Sequence, residues 1–227
     1  MSIPLEIPLI QLAGIRDWRE AEMLMECGVH YLGFPLRLDV NQEDLAEEEA
    51  ANIFRRLRPP AHGVLITYLN DAEAIAEFCH AMGARMVQLH GDVSREELER
   101  LREVDPALSV IKSLVVGRHS PVVLERLVAE LAQLVDGFIT DTYVAETGAS
   151  GATGRTHDWN VSRWLVLLSP KPVILAGGLT PSNVRQAIAA VRPAGVDVHT
   201  GVEDRSGRKD RGKVLAFVAE AKAGFAR

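Results

Sequence analysis

Eight short apolar runs punctuate the chain, at residues 9–13, 30–34, 63–67, 86–89, 109–114, 137–141, 172–176 and 195–198. Their length and β-branched content predict strands. Between them the apolar positions switch to three- and four-residue spacing, as at Ile75, Phe78, Cys79 and Met82, or Val214, Phe217, Val218 and Ala221, which predicts amphipathic helices. Helix starts are marked by Ser94 with Glu97, by Asp17 with Glu20, and by Thr180 followed by Pro181 at the first helical position. Strand then helix, eight times without a linker, predicts an α/β fold: a single (β/α)8 TIM barrel domain over residues 1–227. Parallel strands need crossover helices, and eight of them can close without leaving an edge. A doubly wound open sheet is the alternative that the same alternation allows.

The 227 residues are 47% hydrophobic and 25% charged, which suits one sizeable core. No apolar run approaches the roughly 18 residues of a membrane span, and Met1-Ser2-Ile3-Pro4-Leu5-Glu6 lacks a basic region leading into an apolar one. The expectation is a cytoplasmic protein with no membrane partner. A formal charge of −6 gives no basic field for nucleic acid, so a phosphate would be held locally. Cys27 and Cys79 sit in periodic apolar segments without metal-ligand spacing, which predicts packed thiols and neither a disulfide nor a metal site.

In a barrel the chemistry belongs to the loops after the strands. Ala176-Gly177-Gly178-Leu179-Thr180-Pro181 places two glycines between the seventh strand and a helix start, where backbone can approach an anion and the helix dipole favours it. One strand later Gly201 follows His199-Thr200, so Gly177, Gly178 and Gly201 become candidates for a phosphate site, against a plain tight turn. Asp141, at the end of the sixth strand, should point into the barrel mouth as an acid or base, or else cap a neighbouring loop. His199 ends the eighth strand and can carry protons or touch the phosphate. His90, after the fourth strand, reads first as a hydrogen-bonding residue and then as a substrate contact. Arg37 and Asp39, after the second strand, can reach the same mouth or form an exposed charged loop. Residues 145–155, rich in Gly, Ala, Ser and Thr, suggest a lid or a surface loop.

The order of several motifs is more specific than any one of them. Gly28-Val29 precedes Gly33-Phe34; Val87-Gln88-Leu89-His90-Gly91 follows; then come Gly151-Ala152-Thr153-Gly154 with Thr156 and Asp158-Trp159, Ala176-Gly177-Gly178-Leu179, and Val196-Asp197-Val198 through Gly201-Val202-Glu203 with Gly207 and Lys209-Asp210. In this order the chain resembles the phosphoribosylanthranilate isomerase family, barrel enzymes of tryptophan biosynthesis, over essentially its whole length. The resemblance implies a cofactor-free rearrangement of a phosphorylated aminoaldose to an aminoketose. An acid opens the sugar by protonating its ring oxygen, and a base then removes the C2 proton. By resemblance Asp141 falls on the acid and Gly177, Gly178 and Gly201 on the phosphate loops.

Three departures accompany the likeness. The family's Lys-Ile-Cys-Gly-Ile, which carries the base, reads Gln11-Leu12-Ala13-Gly14-Ile15, and Ala13 cannot accept a proton. The family's arginine for the anthranilate carboxylate is replaced by Asn41-Gln42, with Arg37 nearby as a substitute, and a Ser-Ser pair reads His199-Thr200. Since a general base contributes on the order of 10²–10⁴ in rate, three readings follow. One is an isomerase of this type in which His199, Asp39 or a water takes the proton. Another is an enzyme for a different phosphorylated sugar or metabolite, and the last is a non-catalytic phosphometabolite-binding protein. Monomer and homodimer remain open.

Overall fold

The computed structural model describes residues 4–38, 43–144, 149–150 and 157–226. Eight parallel strands form its centre: β1 (Leu9–Ala13), β2 (Tyr31–Pro35), β3 (His62–Thr67), β4 (Met86–Leu89), β5 (Ser109–Val116), β6 (Gly137–Val144), β7 (Val173–Leu175) and β8 (Gly195–Val198). Each is followed by a helix, in order α1 (Trp18–Glu26), α2 (Glu47–Arg56), α3 (Ala72–Met82), α4 (Arg95–Val104), α5 (Pro121–Leu131), α6 (Trp159–Leu168), α7 (Val184–Val191) and α8 (Arg211–Phe225). The strand order is β5-β4-β3-β2-β1-β8-β7-β6, and β5 also pairs with β6, so the sheet closes into the expected barrel. A two-residue strand, Ala149–Ser150, adds antiparallel to the end of β6.

Alternation along the strands sorts side chains between two apolar regions. Leu9, Ala13, Tyr31, Val64, Ile66, Met86, Ile111, Ile139, Ile174 and Ala176 fill the lumen, while the larger set packs between strands and helices. Cys27 and Cys79 are buried thiols, as their periodic setting predicts, and burial pushes Cys79 up to about 12. Among the described residues no helix is long and apolar enough to cross a membrane.

The seam between β5 and β6 is tied at its lower end by one side chain. Arg102 of α4 donates to the carbonyls of Leu134 and Leu108 at 2.7 Å each and to Asp136 at 2.8 Å, and Asp136 also accepts from the Val110 amide at 2.8 Å. A planar guanidinium spreads its fixed donors over three nitrogens, and here each nitrogen takes a different acceptor.

Two helix caps follow the sequence. Asp17 accepts from the Glu20 amide at 2.9 Å and Ser94 from the Glu97 amide at 3.2 Å. Of the boundaries that differ, two bear on the site. Strand β6 runs three residues past Asp141, prolonged by its pairing with Ala149–Ser150, so Asp141 lies within a strand. Helix α7 starts at Val184, not at Pro181, because the Asn183 side chain closes a turn instead, accepting from the Thr180 amide at 2.8 Å and donating to the Gly178 carbonyl at 3.0 Å. The candidate lid falls, apart from Ala149–Ser150, outside the described residues, as do Asp39 and Asn41-Gln42.

Candidate active site

Because alternate strand residues share a face, β1 presents Gln11 and Ala13 to the lumen, β4 presents Gln88 and then His90, and β8 presents Asp197 and then His199. Asp141 enters from β6. These positions build two polar groups at the mouth of the barrel.

The first group surrounds Asp141, which is 4% exposed. Its Oδ1 accepts from the Thr142 amide at 2.7 Å and its Oδ2 lies 3.4 Å from His90 Nδ1. Burial outweighs the amide and pushes the carboxyl up to about 7, so the group holds its proton in neutral solution more readily than an ordinary aspartate. His90 is buried too, and burial followed by the Lys112 charge holds it neutral, down to about 3. Its Nε2 lies 2.7 Å from Gln88 Nε2, and Gln88 Oε1 accepts from Gln11 Nε2 at 2.9 Å. Strands β1 and β4 are not neighbours, so this last bond crosses the lumen. Beside Gln11, in register with it on β8, lies Asp197, also raised to about 7, first by burial and then by the charge of Asp141.

The second group surrounds His199. A side chain on Gly14, whose φ is +78°, would collide with this imidazole, so the ring is seated against the residue that follows Ala13. His199 Nε2 lies 3.5 Å from Asp44 Oδ2 and 3.4 Å from Glu203 Oε1, and Glu203 accepts from Lys209 Nζ at 2.7 Å. Burial, then Lys209 and Arg16, push the imidazole down to about 3, which leaves it neutral. Burial raises Asp44.

The glycine loops meet where they were expected. Gly177 and Gly178 have φ of +96° and +62°, in the region that favours glycine. A side chain on Gly177 would strike Thr142 Oγ1, and one on Gly201 would strike the Leu179 carbonyl. The two loops are thus packed backbone to backbone above β7 and β8. His157 adjoins them, 3.0 Å from Thr142 Oγ1 and bonded to the buried Ser162 hydroxyl.

Asp141, His90, His199, Gly177, Gly178 and Gly201 therefore gather at one end of the barrel. Arg37 does not join them. Its guanidinium lies 3.7 Å over the Phe78 ring of α3 and donates to Glu47 of α2 at 2.8 and 3.2 Å, which commits it to the helical layer. Sequence reading passed over Gln11, Gln88, Asp197, Asp44 and His157. For the first three a signal existed, since each is a polar residue on the inward phase of an otherwise apolar strand. For Asp44 and His157, both in loops, none did.

Residues 10–220 match the family described as N-(5'phosphoribosyl)anthranilate (PRA) isomerase. The N-(5'-phosphoribosyl)anthranilate isomerase 2 of Methanosarcina mazei is 38% identical over 218 residues, which are 95% of either chain. The phosphoribosyl anthranilate isomerase structure from Thermotoga maritima aligns with a TM-score of 0.79 at 29% identity, covering 95% of this chain and 98% of that one. A structure of such an isomerase in complex with reduced 1-(o-carboxyphenylamino)-1-deoxyribulose 5-phosphate aligns with a TM-score of 0.77 at 26% identity and the same coverage.

Proposed function

Since the chain belongs to the N-(5'-phosphoribosyl)anthranilate isomerase family, we propose that it isomerises phosphoribosylanthranilate with Asp141 as general acid and His199 as the base that stands in for the family's cysteine. What supports His199 is its ring seated against Gly14, next to the alanine where the cysteine would be. In this reading Asp141 gives its proton to the ring oxygen as the C1–O bond breaks and the nitrogen lone pair forms an iminium. His199 then takes the C2 proton, the electrons pass into the enamine, and this tautomerises to the aminoketose. Nε2 is the ring atom that lies against Gly14, and the Asp44 and Glu203 carboxylates beside it face the imidazolium that results. Gly177, Gly178 and Gly201 hold the phosphate, and His90 orients Asp141.

A second reading, a different phosphorylated sugar or metabolite as substrate, draws on Arg37, whose guanidinium is already engaged away from the mouth. One assay separates the two. Purified protein is given freshly generated phosphoribosylanthranilate, alongside Asp141→Asn, His199→Ala and Ala13→Cys. Turnover that falls on the order of 10²–10⁴ in each of the first two variants is expected. Turnover untouched by His199→Ala would remove the imidazole as base, and no turnover in any form, Ala13→Cys included, would favour the other substrate.

A further inference from the structure

The pairing of β6 with β7 ends at Thr140, opposite Leu175, and its pairing with Ala149–Ser150 begins at Tyr143. Asp141 and Thr142 fall between the two and, among the described residues, are in register with β5 alone, opposite Val115 and Val116. A strand backbone with a neighbour on one side only is held less firmly unless side chains take the neighbour's place. His157, just before α6, does so. Its Nδ1 lies 3.0 Å from Thr142 Oγ1 and its Nε2 is bonded to the Ser162 hydroxyl, and both Thr142 and Ser162 are buried. Gly177 closes a third side: a side chain there would lie 2.2 Å from Thr142 Oγ1 and 3.1 Å from His157 Nδ1. Burial, against the opposing charge of Asp158, holds the imidazole neutral, down to about 4, so one ring nitrogen donates and the other accepts.

We propose that His157 is a positioning residue for the general acid: it fixes the Thr142 hydroxyl from the α6 side and so keeps the Thr142 amide on Asp141 Oδ1. That amide donates at 2.7 Å and eases the ionisation of Asp141 against the cost of burial. With the imidazole removed, Thr142 stays opposite Val116 but loses the contact that fixes its orientation, the amide bond to Asp141 weakens, and the acid holds its proton to higher pH. The same pair rests on Gly177, so the acid and the glycine loop share one anchor. His90 from β4 and Asp197 from β8 are the titratable groups facing Asp141. Asp158, which caps α6, and His119, across a cavity beyond β5, flank His157. The substitutions that test the proposal leave all four in place.

The bearing on turnover rests on Asp141 being the acid, as proposed above, whereas the anchoring of its carboxylate does not, and the test keeps them apart. The Asp141 carboxyl carbon-13 signal, assigned by its loss in Asp141→Asn, is titrated from about pH 5 to about pH 9, which brackets its folded value of about 7. His157→Phe and the nearly isosteric Thr142→Val are each expected to raise the midpoint by about half a pH unit, the effect of weakening one amide bond to a carboxylate. The double variant goes no further than either single one, because both remove the same contact, and Thr142→Ser, which keeps the hydroxyl, stays with the parent protein. With turnover in hand, the falling limb of kcat/KM moves by the same amount. Should His157→Phe fail to fold, Thr142→Val against Thr142→Ser still decides. A midpoint unmoved in Thr142→Val overturns the proposal, as do shifts that add in the double variant. If phosphoribosylanthranilate is not turned over, the isomerase reading fails and the titration still decides this one.

Discussion

Asp141 and His199 are both displaced from their ordinary titration ranges by burial, in opposite senses, and together they dictate how turnover depends on pH. The acid works only while protonated and the base only while neutral. Since Asp141 is raised to about 7 and His199 lowered to about 3, kcat/KM should be level through mildly acidic solution and fall as pH rises through about 7. A rate profile measured from mild acid to mild alkali checks this, and a limb that rises toward neutrality would contradict it. At this scale the sequence was only half legible. Asp141 could be located because a carboxylate at the end of an apolar strand has a predictable direction. The partners of His199 could not, since Asp44 and Glu203 reach it from loops whose course no periodicity encodes.

Among the elements, type and order were readable and termini were not. All eight strands stand where apolar runs predicted them, because a strand in a closed parallel sheet is covered on both faces. The start of α7 was misplaced because Thr180-Pro181 is as good a turn as a helix cap, and only the two Asn183 side-chain bonds decide between them. The loop glycines allow a comparison. Gly201 lies against the Leu179 carbonyl, whereas nothing stands within 4 Å of where a side chain on Gly83 would go. Gly201→Ala should therefore cost about 1–3 kcal/mol by overpacking and weaken phosphate-ligand binding, with Gly83→Asn, a residue tolerant of the left-handed region, nearly neutral. Urea denaturation and ligand titration of both proteins would show it, and equal losses would refute the loop-against-loop packing.

Taken as a whole, the molecule carries two opposed sets of buried titrating groups. His90, His157 and His199 are lowered to about 3, 4 and 3, so the unfolded chain binds more protons there, and stability gains as pH rises from those values toward the ordinary histidine range. Asp141 and Asp197 are raised to about 7, so the folded chain holds their protons longer and stability declines between the ordinary aspartate range and that value. Taking away one of the opposing groups should tip this balance: between about pH 4 and 6.5 the stability of Asp197→Asn should rise more with pH, or fall less, than that of the parent protein, and urea midpoints across that range test the sign. The barrel itself was foreseeable from alternation alone, but the tie beneath the β5–β6 pair was not, because Arg102 holds Asp136 and two carbonyls across a distance in sequence that no motif marks. That staple lies at the opposite end of the strands from the chemistry. A barrel parted between β5 and β6 is an open sheet with two long bare edges, each a template for a strand from another molecule. Loss of that guanidinium is therefore expected to show first as association that grows with protein concentration, which light scattering of Arg102→Ala would check.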